Sequence, residues 1–186
     1  MNLNNNVRFS MMARQPLGSY LFLLLCTFWL PTAAHALPSD KEQPIHISAN
    51  SAQLDRKQRT ATYTGDVKLK QGTLEISADR ITIHTNNNDK VEKMEAHGSP
   101  ARYQQKPAEN QATITAQANS IRYTLTNEHL LLLENAFLEQ ENGASISGNR
   151  IDYDIRKEIM KAAGKKDAQQ PQRIEIVIPP QTINQD

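Results

Sequence analysis

The stretch Leu74-Glu75-Ile76-Ser77-Ala78-Asp79-Arg80-Ile81-Thr82-Ile83-His84 decides how this chain folds. Apolar and polar residues alternate with period two on both sides of Ser77-Ala78-Asp79, the pattern of a strand with one buried face. The core of the stretch, Ile76-Ser77-Ala78-Asp79, has three counterparts: Ile47-Ser48-Ala49-Asn50, Ile114-Thr115-Ala116-Gln117 and Ile146-Ser147-Gly148-Asn149. They lie 29, 38 and 32 residues apart, so a unit of about 30 residues repeats. An apolar or alternating segment follows each copy: Leu54, then Ile81 to His84, Ile121-Arg122-Tyr123-Thr124-Leu125 and Ile151-Asp152-Tyr153-Asp154-Ile155. Later in each unit comes a turn-prone residue, in order Gly65, Gly98, Asn135 and Gly164.

Working outward, period two recurs in Ile45-His46-Ile47, Val67-Lys68-Leu69-Lys70 and Ile174-Glu175-Ile176-Val177-Ile178. Helix start and stop signals are almost absent, and Leu130-Leu131-Leu132-Leu133, only about one helical turn long, reads as a buried strand. The Ile-Ser-Ala-Asx unit reads as a strand end followed by a residue that bends the backbone. The expectation is an all-β chain of about 15 or 16 short antiparallel strands, roughly four per repeat. An isolated hairpin cannot bury its apolar face, so the repeats stack into an elongated sandwich or roll with one continuous inner surface and open ends.

The first 36 residues differ from the rest. Arg8 and Arg14 precede the apolar run Leu17 to Leu30, which ends in Pro31-Thr32 and Ala34-His35-Ala36. This reads as a secretory signal peptide cleaved after Ala36, with the translation start at Met1, Met11 or Met12; a retained anchor is the weaker reading, because the run is shorter than the roughly 20 residues a spanning helix needs. The organisation expected is a signal peptide over 1–36, a β domain over 37–180 and a polar tail over 181–186. Cys26, the lone cysteine, falls inside the signal, so the mature chain has neither disulfide nor thiol chemistry. Without Arg8 and Arg14 the 21 basic residues drop to 19, against 20 acidic ones, which gives no reason to expect nucleic-acid binding.

Little in the sequence points to catalysis. His46, His84, His97 and His129 have no ligand spacing, and no metal or other cofactor is expected. Asp152 and Asp154 point to one face about 7 Å apart, a spacing that suits paired carboxylates, but an exposed acidic face is the plainer reading. Nucleophile elbow, phosphate loop and dinucleotide fingerprint are missing, so no enzyme activity is expected. Lys157, Lys161, Lys165 and Lys166 form a basic cluster, usually a solvated face.

The inward set is Ile45, Ile47, Val67, Leu69, Leu74, Ile76, Ile81, Ile83, Tyr103, Ile121, Tyr123, Leu125, Ile151, Tyr153 and Ile155. An ordinary packed core accounts for it, and these residues alone favour that reading. An interior of branched aliphatics with few aromatics also leaves room for a slot. Ile174, Ile176 and Ile178 mark a terminal strand with an unpaired edge that invites another chain, or that Glu175 and Pro179-Pro180 cap.

Several spaced segments carry a resemblance: Gln43-Pro44-Ile45-His46-Ile47-Ser48, Tyr63-Thr64-Gly65-Asp66-Val67 with Gln71-Gly72-Thr73-Leu74, Ala78-Asp79-Arg80-Ile81, Gly98-Ser99-Pro100-Ala101, and Gly148-Asn149-Arg150-Ile151-Asp152-Tyr153. Together they resemble the OstA-like family across nearly all of Pro44 to Pro180. The resemblance implies a twisted β-jellyroll, V-shaped in section, resident in the periplasm. Its apolar interior would hold the lipid A acyl chains of lipopolysaccharide, with Ile45, Ile47, Val67, Leu69, Leu74, Ile76, Ile81, Ile83, Tyr103, Ile121, Tyr123, Leu125 and Tyr153 as lining. It further implies head-to-tail homo-oligomers, and edge-strand pairing with an inner-membrane-anchored LptC-like partner and an outer-membrane LptD-like translocon. On the residues alone, a self-assembling structural β-roll with a filled core stays open beside it.

Overall fold

The computed structural model describes residues 39–165, 171 and 173–180. The expected signal peptide with its cleavage site, Cys26, Lys166 and the tail 181–186 lie outside the described residues. Ten strands follow a single 3-10 turn at Asp40–Glu42. They are β1 (His46–Ser48), β2 (Ser51–Asp55), β3 (Thr60–Gln71), β4 (Leu74–Thr85), β5 (Val91–Gln105), β6 (Ile114–Thr124), β7 (His129–Gln140), β8 (Ser145–Asp154), β9 (Ile159–Ala163) and β10 (Glu175–Val177). No helix among the described residues is long and apolar enough to cross a membrane.

All ten belong to one antiparallel sheet in the order β1-β3-β4-β5-β6-β7-β8-β10, with β2 also on β3 and β9 also on β8. The strands from β3 to β8 are long, and the register between each neighbouring pair slips once near the middle: at Thr64/Val67, Ser77/Arg80, His97/Ala101, Gln117/Ser120 and Leu133/Ala136. A bulge bends the strand that carries it. Aligned across the sheet, these bulges form a crease dividing it into two half-sheets of eight straight segments each. Half 1 holds β1, the segments through Leu69, Ile76, Tyr103, Ala116, Leu138 and Ile146, and β10. Half 2 holds β2, the segments through Tyr63, Ile81, Ala96, Ile121, Leu132 and Ile151, and β9.

Sixteen straight segments agree with the count expected from the sequence, but they form ten strands, because the Ile-Ser-Ala-Asx unit bends a strand where it was read as ending one. Backbone hydrogen bonding resumes past the crease in β4, β6 and β8. At the first copy alone the strand breaks, into β1 and β2. The third copy is also out of phase: the β6 bulge falls at Ala118-Asn119, two residues beyond the expected Ala116-Gln117. Gly65, Gly98 and Asn135 mark the same crease on β3, β5 and β7, and Gly164 follows β9 where the chain leaves half 2 on its way to β10. At Gly65 the crease requires glycine: φ is +86°, and an added Cβ would collide with the Asn50 side chain.

Folding about the crease brings the inner faces of the halves together as a β-jellyroll. Val67, Ile81, Ala101, Ala118, Leu130, Leu132 and Ile151 are fully buried in one continuous cluster drawn from both halves. Each large aliphatic side chain so buried contributes about 1.5–3 kcal/mol. Leu130-Leu131-Leu132 lies in β7 as expected, with Leu130 and Leu132 inside and Leu131 on the opposite face between Arg122 and Asp152.

Candidate functional site

Of the expected inward residues, Val67, Leu69, Leu74, Ile76, Ile81, Ile83, Tyr103, Ile121, Tyr123, Leu125 and Tyr153 are at most 8% exposed and share the central cluster; Ile45 and Ile47 are half-buried against it. Leu130 and Leu132 of the expected buried strand belong to the same cluster, as do Met94, Ile114 and Leu138, which the inward set left out. Tyr103 from half 1 and Tyr123 from half 2 meet with ring centroids 5.6 Å apart at 57°, a tilted aromatic contact across the interior. Tyr103, Tyr123 and Met94 are 1–2% exposed and pack into this interior, where few aromatics left room for a slot. A concavity of about 800 Å3 lies in half 1, lined by the outward residues His46, Lys68, Arg102 and Gln117 among others and also by Ile47, Leu69, Ile76, Tyr103 and Ala116 of the inward set and cluster.

Opposite the crease, the free ends of the halves meet along a mouth spanned by two straps. The 3-10 turn forms the first. Asp40 accepts the Thr73 backbone N–H at 2.6 Å, the Thr73 hydroxyl at 2.7 Å and the Gln105 side-chain amide at 2.8 Å, all from half 1. Next to it, Lys41 pairs with Glu128, in the turn between β6 and β7 of half 2, at 2.5 Å. The second strap is the connection between β5 and β6, from which Gln111 donates to Glu158 in the β8–β9 turn at 3.0 Å.

Beneath the straps runs a polar row. Gln71, Gln105 and Gln140 end β3, β5 and β7 at inward-facing register, with Leu74 and Ile114 between them. The Gln71 amide donates to the Gln43 carbonyl at 3.1 Å, and the Tyr103 hydroxyl donates to Gln105. Gln105 and Gln140 also lie close enough to the Tyr123 and Tyr153 hydroxyls to offset part of the effect of burial on them. Burial pushes the Tyr123 phenol up to about 12 despite Gln105, and raises Tyr103 and Tyr153 as well. All three therefore stay neutral hydrogen-bonding groups at physiological pH. Their signal was available in the sequence, since Leu69-Lys70-Gln71, Tyr103-Gln104-Gln105 and Leu138-Glu139-Gln140 each put a glutamine in inward phase.

The interior emerges at both ends of the strand order. Leu54, in inward phase on β2, is 66% exposed at one end; Ile176 and Ile178 are 56% and 82% exposed at the other. Ile174 is exposed beside them, and its side chain approaches Gly148. Of the expected terminal strand only Glu175–Val177 pairs, with one edge on Ser145, Ile146 and Ser147 of β8.

Asp152 is held by His129 at 2.7 Å and Arg150 at 2.8 Å, and Asp154 by Lys157 at 2.8 Å, all on the outward face. Both carboxyls titrate below their ordinary range. Burial raises Asp152, but its hydrogen bonds outweigh that, while the Lys157 bond leads for Asp154. Neither retains a proton to donate at neutral pH, as a paired-carboxylate hydrolase requires. His84 pairs with Glu95 at 3.2 Å, and no cluster suited to a metal occurs among the described residues. Of the basic cluster, Lys157 is committed to Asp154, and Lys161 lies on the exposed face of β9.

This jellyroll, with an apolar interior, a polar mouth and two open ends, has known relatives. The sequence profile of the LptA/(LptD N-terminal domain) LPS transport protein family matches residues 46–159. The chain belongs to this family. Its LptA-family relatives include the Lipopolysaccharide export system protein LptH of Pseudomonas aeruginosa, 37% identical over 150 residues, or 79% of this chain and 85% of that one. The Lipopolysaccharide export system protein LptA of Haemophilus influenzae is 35% identical over 80% of this chain and 87% of its own. The Escherichia coli K12 protein of the same name is 31% identical over 72% and 71%. The crystal structure of P. aeruginosa LptH, described as the LptA homologous periplasmic component of the lipopolysaccharide transport device, superposes with a TM-score of 0.68 at 36% identity, covering 77% of this chain and 100% of that one. LptA-family membership places the bent-strand jellyroll in a transport family rather than a known enzyme family.

Proposed function

We propose that this protein carries lipopolysaccharide across the periplasm, sheltering the lipid A acyl chains between its two half-sheets, and that it catalyses no reaction. The observation that carries the reading is the apolar interior, which runs through the whole strand order and surfaces at both ends, at Leu54 and at Ile176 and Ile178. Each methylene exposed to water costs about 0.8 kcal/mol, so a 12-carbon chain costs on the order of 10 kcal/mol outside such a path. Apolar contact is non-directional, which lets a lipid slide along it. The crease serves as hinge, and cargo enters where the straps part. Ile45, Ile47, Val67, Leu69, Leu74, Ile76, Ile81, Ile83, Tyr103, Ile121, Tyr123, Leu125 and Tyr153 then face the acyl chains.

Among the described residues the outer edges of β1 and β2 at one end and of β9 and β10 at the other are unpaired, which suits strand addition. Copies join head to tail, and the ends of the bridge pair with an LptC-like inner-membrane partner and an LptD-like translocon, Ile174, Ile176 and Ile178 contributing to the joint. Energy for directed movement comes from the partners.

A photoreactive residue at Ile47 or Tyr123 is expected to yield lipopolysaccharide adducts in cells, and one at His46 is not. Labelling confined to His46 defeats the proposal. The burial of this cluster favours a second reading, a self-assembling β-roll with a permanently filled core; filaments of purified protein with no adduct at any inward position would establish it.

A further inference from the structure

The three glutamines of the mouth occupy equivalent places, and the chain itself reveals what two of them hold. Gln71 donates to the Gln43 carbonyl and Gln105 to the Asp40 carboxylate, so the first strap supplies an oxygen acceptor at each. Gln140 is the third member of the row, separated from Gln105 by Ile114, which pairs with both. Among the described residues the first strap, which serves Gln71 and Gln105, supplies no hydrogen-bond partner to it. Beside it lies a cavity of about 360 Å3, lined by Asn110, Gln111, Ile114, Gln140, Tyr153, Glu158 and Met160 among others. At about 30 Å3 per water, the cavity is far larger than one solvent molecule requires.

We infer that this cavity is a saccharide subsite, in which the Gln140 amide donates to a sugar oxygen as Gln105 donates to Asp40. Amides and a phenol supply neutral donors and acceptors, the chemistry that matches hydroxyl and N-acyl groups. Phosphate is disfavoured, because the lining contains the Glu158 carboxylate and neither lysine nor arginine. Ile114 and Met160 on the inner side belong to the interior or pack against it, so a sugar ring held here leads its acyl chains directly inward. The site rests on the reading of the protein as a glycolipid carrier, and gives that carrier a polar station where the cargo's head is held.

The test uses the mature full-length protein and two probes, lipopolysaccharide and a fluorescent long-chain fatty acid. Gln140→Leu is expected to weaken lipopolysaccharide binding about tenfold, leaving fatty-acid binding unchanged. Gln140→Glu, which keeps length and polarity but removes the amide donor, gives the same loss. Equal losses for both probes, or no loss for either, overturn the subsite. If the wild type binds neither probe, the carrier reading fails separately, and the subsite is decided by titrating labelled protein with N-acetylglucosamine: a shift of the Gln140 side-chain amide signal supports it, and no shift overturns it.

Discussion

Asp40 accepts the side-chain amide of Gln105 at 2.8 Å, joining residues 65 positions apart and tying the turn ahead of β1 to the end of β5. The same carboxylate takes two bonds from Thr73. Hydrogen bonds to a charged group contribute about 1.5–3 kcal/mol each, less where water competes. Asp40→Ala is therefore expected to lower unfolding free energy by about 2–3 kcal/mol, read as a fall in the urea midpoint at unchanged slope. A loss under about 0.5 kcal/mol, the range of an ordinary surface substitution, would show that the strap is not held through this residue.

Gly72 sits at φ +58°, and a Cβ there would fall on the Asp40 carboxylate. Gly72→Ala is expected to cost about 1–2 kcal/mol through strain and displacement of the strap. Because both changes act on one contact, the Gly72→Ala, Asp40→Ala double variant should lose clearly less than the two single losses combined. Simple additivity in a double-mutant cycle would separate the glycine from the strap.

Ile121 is 1% exposed, between Ala96 and Leu132 in register. Ile121→Ala should cost about 2–5 kcal/mol, the cost of an unfilled core cavity. Its outward neighbour Arg122 pairs with Glu95 at 2.8 Å with its own side chain 47% exposed, so Arg122→Ala should cost under about 1 kcal/mol. Equilibrium unfolding of the pair checks which face of β6 carries the stability.

Glu95 and Asp152 contribute to the acid limb of stability. Burial pushes both carboxyls up, but bonds from Lys93 and Arg122 on Glu95, and from His129 and Arg150 on Asp152, outweigh it and hold each below the ordinary range. In acid the unfolded chain binds these protons before the folded one does. Their contribution is thus fully present above about pH 5 and lost as pH falls through the folded values. Stability by urea titration should decline from about pH 5 to pH 3, with a shallower slope for Glu95→Gln, Asp152→Asn. An unchanged slope would assign the acid limb to other groups.

The alternation through Leu74 to His84 makes the strands and their buried face legible, because in a strand the direction of a side chain depends only on its neighbours along the chain. The repeat of Ile-Ser-Ala-Asx made the crease visible while leaving its nature ambiguous: a residue that bends a strand and one that ends it look alike until the partner strand is known. Gln71, Gln105 and Gln140 were legible as inward, yet their role was not. Gln71 and Gln105 find their partners far away in sequence, at Gln43 and Asp40, and no local pattern encodes such a meeting.

By itself, then, the sequence determined an all-β chain of repeated alternating segments with one continuous apolar face, since periodicity, propensity and turn chemistry act over a few residues. Tertiary structure alone decided that β3 to β8 run unbroken through the bulges, that Tyr103 and Tyr123 meet across the interior, and that straps at Asp40 and Gln111 span a polar mouth. These depend on which surfaces meet when the sheet folds about its crease, and burial then forces every polar group left at the mouth to find a partner.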